Sequence, residues 1–526
     1  MGSGTGGLKL VKGWRAGQVA ALVLFFCLVV VPTATPAVPE PPSAEVGTTP
    51  QNLWPIYERR EDPVDRAHTE GGLGPLIFSG AAHDGAWREG GFRPFFSWRE
   101  ERELQRTEWQ ILYPLVQYTK TEDDWEFQFL YVINFRSEGS IPAEREERAD
   151  FFPFYLSGRR ETGETYWWLF PFWGKVYDRL GRDEIEIVLF PLYVRSVRFG
   201  GERQWFLWPF FSLLRGEEQS GTFFWPFYGQ EERQGQYERR YALWPFFLFQ
   251  REGLDGDNPE ESLAILPFYF SQRSPERDLT VLLWPFFSYQ HDRKRQFEQW
   301  EFPWPLFAIA RGEGREVTRF LPFFTVERRV LREELMLKEL VSSTFAVLFP
   351  LYSRTVDETS NSRAERNRIL WWLYSDIRET GSDGDTRRVD SWPFFRYVRD
   401  REGRVTFQAL ALVEAFMPGN ELIERNYSPL WSLYTYRRNV AGDTVHSFLW
   451  NLVRHEEGAT GGVLVEVLGP LLTYEEREDF SRFSLLGGLF SLAKKDGVRE
   501  AHFFGVTTSW SDPPPIRVAL DLGGNQ

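Results

Sequence analysis

A short apolar run with a proline at its centre, Trp205-Phe206-Leu207-Trp208-Pro209-Phe210-Phe211, returns in variant form about every 19 residues along the chain. A period that persists from end to end restricts the chain to a repeat architecture, because one unit of this size cannot bury an apolar face alone and must stack on its neighbours. Copies are centred on Pro55, Pro75, Pro94, Pro114, Pro153, Pro171, Pro191, Pro209, Pro226, Pro245, Pro267, Pro285, Pro305, Pro322, Pro350, Pro393, Pro429 and Pro470. Proline-free copies fill the longer gaps and the tail at Leu130–Phe135, Leu370–Tyr374, Ala409–Val413, Phe448–Val453, Leu485–Phe490 and Phe503–Val506, which makes roughly 24 units in all.

The units have strand composition. Runs rich in Phe, Trp, Tyr, Leu, Val and Ile are bounded by Gly, Asp, Asn and Arg clusters. In one proline-free copy Trp125, Phe127, Phe129, Tyr131, Ile133 and Phe135 alternate with Glu126, Gln128, Leu130, Val132, Asn134 and Arg136, which is the period of a strand with one apolar face. Joins such as Arg198-Phe199-Gly200-Gly201-Glu202 carry the glycines that tight hairpins use. Glu327 to Leu340 departs from the pattern. It is rich in Arg, Glu, Leu and Met and free of Gly and Pro, and predicts a short helix near residues 328–340.

Counted from Pro55, odd gaps mostly run to 20 residues or more and even gaps stay between 17 and 19. An antiparallel meander, with odd joins on one edge and even joins on the other, accounts for such alternation better than a parallel solenoid. The predicted fold is therefore all-β: a repetitive antiparallel meander of about 24 strands. Twist prevents so wide a sheet from staying open and flat, so it is expected either to close as a large barrel or to crease and fold over. The mid-run proline cannot donate to a ladder, and glycine replaces it at Gly487-Gly488 and Gly505, so the position predicts a bend or bulge in each strand.

Residues 1–37 read as a signal peptide. Lys9, Lys12 and Arg15 precede a 13-residue apolar run, Val19 to Val31, and small residues follow at Thr35-Pro36-Ala37; a membrane-spanning helix needs about 20 apolar residues. Residues 38–50 form a Pro-rich linker, and residues 51–526 a single repeat domain. The only cysteine, Cys27, lies in the apolar run, so the processed chain would depend on packing and strand pairing without disulfides.

Chemistry is sparse. Net charge is −14, which argues against a nucleic-acid partner. The six histidines are scattered singly, and no nucleophile elbow, phosphate loop or dinucleotide fingerprint occurs. The acid pairs Asp123-Asp124 and Glu217-Glu218 read as solvated hairpin tips, and Asp255-Gly256-Asp257-Asn258 is only a partial calcium loop. No catalytic, metal-binding or cofactor-binding residues are assigned. The residues singled out form the repeat core: Trp208, Pro209, Phe210, Phe211, Trp244, Pro245, Phe246, Phe247, Trp284, Pro285, Phe286 and Phe287. The expectation is a non-enzymatic, exported cell-envelope protein of a double-membraned bacterium, with lipid or a membrane as partner. It is read as an outer-membrane β-barrel or lipid-contacting sheet with a structural or transport role. The alternative is a soluble periplasmic or secreted scaffold or binding module.

Overall fold

Trp208 and Pro209 lie in a turn. In a computed structural model that describes residues 51–141, 145–333 and 338–511, the strand Gly201–Phe206 ends just before Leu207, and the antiparallel strand Phe211–Arg215 starts just after Phe210, with Phe206 opposite Phe211. Each repeat is thus a hairpin turn with the strand ends on either side, and the described residues form one antiparallel meander of 46 strands in place of the expected 24 or so. The signal segment 1–37 and the linker 38–50 lie outside the described residues.

The miscount has a physical origin. Between Asp124–Phe129 and Ile133–Glu138 the loop is three residues long, and Phe129 faces Ile133 while Phe127 faces Phe135. An odd loop keeps the parity of the alternation, so two strands and their turn read as one continuous strand. The unit direction is corrected by the same observation. Most repeat prolines sit in turns along one edge, with the glycine-rich or charged joins along the other; Pro429 instead lies in the first turn of the short helix Ser428–Trp431, and Pro470 in a single 3-10 turn, Gly469–Leu471. Each gap spans a complete hairpin, so its odd or even rank has no topological meaning. The proline marks a turn and not a bulge; Gly487 and Gly505, which replace it, have φ of 67° and 89° in turns of their own.

The expected helix is absent from the described part of its range. Phe324–Glu333 and Lys338–Val347 are strands of ten residues each, with Val330 opposite Val341 and Leu331 opposite Leu340; residues 334–337 lie outside the described residues. Helix propensity is a weak prior, and the ladder on both sides of this hairpin overrides it. Among the described residues two α-helices occur, at Glu421–Asn426 and Ser428–Trp431, inserted between the strands Val405–Ala409 and Tyr434–Arg438. Asn420 caps the first by accepting from the Leu422 and Ile423 amides. Beneath the helices the buried Glu414 accepts from Gln408, Trp431 and Ser428.

Among the described residues the sheet is not closed as a barrel: Gln51–Leu53 pairs only with Tyr57–Glu61, and Val506–Ser511 only with Val498–Phe503. Side chains nevertheless bring distant hairpins together: Asn52 Nδ2 donates to Glu466 at 3.0 Å, Arg60 to Glu466 at 2.8 Å, and Trp54 Nε1 to the Trp450 carbonyl at 2.7 Å. Arg437 pairs with Asp62 across the same contact.

The two faces differ throughout the central hairpins. Cross-strand partners on the inner face run Trp205, Ser212, Phe223, Gly229, Tyr241, Leu248, Ala264, alternating bulky with small as far as Tyr241, which faces Leu248. Ser212, Gly229 and Ala264 on that face are buried, as are Leu214, Ala308, Ala310 and Val317. Bulk in one strand fills the space left by a small residue in the next. The outer face carries Phe206, Phe211, Phe224 and Phe247 next to the turns, all exposed.

Candidate functional site

The proline turns form an apolar rim along one edge of the sheet. Their backbone chemistry distinguishes them from ordinary solvated hairpins. In Leu207-Trp208-Pro209-Phe210, the Leu207 amide donates to the Leu192 carbonyl at 2.8 Å and the Trp208 amide to the Pro191 carbonyl at 2.7 Å. The Phe210 amide closes its own turn onto Leu207 at 2.9 Å, and Pro209 has no N–H. Every backbone donor of this turn is therefore used. Leu243-Trp244-Pro245-Phe246 repeats the scheme onto Phe227, Pro226 and Leu243, and Leu283-Trp284-Pro285-Phe286 repeats it onto Phe268, Pro267 and Leu283. Hydrogen bonding thus continues from turn to turn beyond the strands.

The ladder also explains an unusual backbone. Leu207, Leu243 and Leu283 have φ of 51°, 47° and 48°, a left-handed conformation that costs a non-glycine residue about 1–2 kcal/mol. Bonds to the preceding turn hold each leucine there. The bonds Trp208–Pro209, Trp244–Pro245 and Trp284–Pro285 are all cis. Rings before the prolines pack against one another at a tilt along the rim, with centroids of Phe190 and Trp208 5.5 Å apart and those of Trp225 and Trp244 6.0 Å apart.

The residues expected to form a repeat core are placed on this rim, half exposed. Trp208, Trp244 and Trp284 are 45%, 47% and 54% exposed, and Phe210, Phe211, Phe246, Phe247, Phe286 and Phe287 fall in a similar range. Pro209, Pro245 and Pro285 sit at the turns between them. The outer first row adds Phe206, Phe224, Tyr228, Ile265 and Leu282, which the registers place side by side. Across the rim segments from Phe206 to Phe287 no charged residue intervenes. Arg93 stands immediately before a rim proline, and its guanidinium is tied to backbone carbonyls: its Nε donates to Arg425 at 2.6 Å and its Nη1 to Pro75 of the preceding turn at 3.0 Å. Burial pushes its pKa down to about 10, with Arg425 adding repulsion against the attraction of Glu89.

The remaining sequence candidates lie at the other edge or in the strands. Glu217-Glu218 and Asp123 are exposed in joins, Asp124 is exposed at the start of its strand, and the Asp255–Asn258 segment is likewise a join, where Asn258 accepts from the Glu276 amide. Two histidine pairs emerge that linear spacing did not reveal: His446 lies opposite His455 with ring centroids 5.4 Å apart, and His68 lies 5.9 Å from His83. Hairpin register sets the first pair; in the second, His68 is opposite Ala81 and His83 lies just past the end of that strand. Burial, reinforced by His455, holds the His446 pKa below the usual histidine value. Among the described residues no group of three His, Cys, Asp or Glu side chains is arranged to hold a metal ion, and no helix is long and apolar enough to cross a membrane. No family model matches the chain, and no curated protein sequence matches it.

Proposed function

We propose that this is an exported, non-enzymatic cell-envelope protein that rests its aromatic rim in a lipid membrane, with the charged edge of the sheet directed into water. One observation carries the reading: the rim is apolar in its side chains and also has its backbone donors paired from turn to turn. A hydrocarbon environment demands that pairing, because an unsatisfied amide there costs several kcal/mol, whereas a hairpin tip in water has no need of it. An exposed apolar strip this extensive is also uncommon on soluble monomers.

Strand length favours docking over spanning. Most strands have five to eight residues, a transmembrane strand needs about 9–11, and in many strands, such as Tyr228–Arg233 and Phe247–Glu252, charged side chains occupy the half away from the rim. The turn and first row would reach about 5–10 Å into the interface, as interfacial elements do. Residence in the outer membrane or periplasm of a double-membraned bacterium accords with the signal segment.

Flotation tests the proposal. The processed chain, mixed with phosphatidylcholine and phosphatidylglycerol vesicles on a density gradient, is expected to rise with the lipid, and brominated acyl chains are expected to quench its tryptophan emission. A monodisperse chain that stays at the bottom of the gradient without detergent would refute lipid docking and leave a soluble scaffold.

A further inference from the structure

On the inner face, towards the edge opposite the rim, the hairpins between residues 182 and 239 enclose a cleft of about 360 Å³. Five arginines line it, Arg182, Arg198, Arg203, Arg233 and Arg239, against one carboxylate, Glu231. Five minus one leaves an excess of four positive charges, in a chain whose net charge is −14. The larger cleft of about 660 Å³ further along the sheet has four carboxylates against three cations and shows no such excess.

Two of the five arginines are already committed. Arg203 pairs with Glu231, which also accepts from the Tyr237 hydroxyl at 2.7 Å, and Arg239 pairs with Glu252 at 2.7 Å. Arg182, Arg198 and Arg233 make no ion pair within 4.0 Å among the described residues. Arg198 lies over the Phe199 ring, 4.9 Å from its centroid. Two further polar groups are left over in the same cleft. The Nε of Arg233 is buried without a hydrogen-bond partner, and so is the Oγ of Ser196, a residue only 3% exposed. Burial, and after it the charges of Arg198 and Arg203, hold the Arg182 pKa below the usual arginine value.

Guanidinium groups gathered at one cleft with a single carboxylate repel one another, and the partly buried Arg182 and Arg233 keep unused donors there while Arg198 stands exposed at its mouth. An oxyanion relieves both conditions, because planar guanidinium forks match the oxygens of a phosphate group two at a time. The cleft volume is within the usual range for small-ligand sites and leaves room for a phosphate with a small organic substituent. We propose that the cleft binds a phosphate monoester group, held by Arg182, Arg198 and Arg233 with Ser196 as an additional donor. It takes no support from the rim reading. With strands of about six residues and a rise of about 3.3 Å each, the cleft stands well above the turns, which favours a soluble phosphate ester over a headgroup of the docked membrane.

Calorimetry on the purified full chain tests this, with glycerol 3-phosphate and inorganic phosphate as free probes and phosphatidic acid vesicles compared with phosphatidylcholine vesicles as the lipid probe. Saturable binding of a phosphate probe, weakened at least tenfold in the Arg198→Gln/Arg233→Gln double variant and unchanged in Arg240→Gln on the outer face, supports the site. Dependence on those arginines with the free probes identifies a soluble ligand; dependence seen only with phosphatidic acid identifies a lipid phosphate. The double variant is expected to match the parent in far-UV circular dichroism and to lose the phosphate-induced rise in Tm. Arg182→Gln provides a second variant with the same expectation should the double variant fail to fold. No binding of any phosphate probe at millimolar concentration, or equal binding by parent and variants, overturns the proposal.

Discussion

The rings of Phe223 and Tyr241 meet over Gly229, with centroids 6.0 Å apart, although a whole strand separates the two that carry them. A Cβ on Gly229 would come within 2.2 Å of the Tyr241 ring and 2.5 Å of the Phe223 ring. Gly229→Val is therefore expected to destabilise the chain by about 1–3 kcal/mol through overpacking, read as a lower urea midpoint. An unchanged midpoint would mean that the two rings do not close over this position.

Inner and outer apolar residues are expected to respond differently to truncation. Ile187, 1% exposed on the inner face, should cost about 2–5 kcal/mol as Ile187→Ala. Phe286, 49% exposed on the rim, should cost less than about 1 kcal/mol as Phe286→Ala. Equal costs in urea unfolding would place the rim ring in a protein core and remove the basis for lipid docking.

Charging the rim should abolish docking without unfolding the sheet. The triple variant Trp208→Glu, Trp244→Glu, Trp284→Glu is expected to reduce vesicle flotation at least about tenfold, because each charge at membrane depth costs more than 1 kcal/mol. Far-UV circular dichroism should be unchanged. Retained flotation would show that another surface holds the lipid.

Acid should loosen the contact between the first hairpins and those near residue 450. Burial of Asp62 opposes its ionisation, but Arg437 and Arg454 outweigh that effect, and its pKa falls below the usual aspartate value. A depressed carboxylate pKa stabilises the fold fully above the unfolded value of about 3.9 and progressively less as pH falls through the folded value. Amide protection at Tyr57–Glu61 is therefore expected to hold at pH 6 and to drop below about pH 4. Asp62→Asn should weaken protection at pH 6 and flatten the profile. Equal protection of parent and variant at pH 6 would remove Asp62–Arg437 as a tie between these hairpins.

The repeat period, the β character and the separation of apolar from charged segments were legible in the chain, because each is a pattern along one dimension; the antiparallel order was expected correctly, but from a gap alternation that carries no strand direction. The residues of the rim were legible too, since Trp208-Pro209-Phe210 and its relatives are the repeat itself. Whether they lay in strands or between them was not. Turns are ordinarily recognised by polar, glycine-rich composition, and these turns are as apolar as the strands they join; the odd loop between Phe129 and Ile133 even preserved the alternation. Pairing decided the rest. It stretched Phe324–Glu333 into a ladder against its helical composition, set His446 opposite His455, and brought Arg182, Arg198 and Arg233 to one cleft from three separate strands. Those neighbours are fixed by hydrogen-bond register between hairpins, and register depends on which strands lie side by side and on how many residues each turn contains.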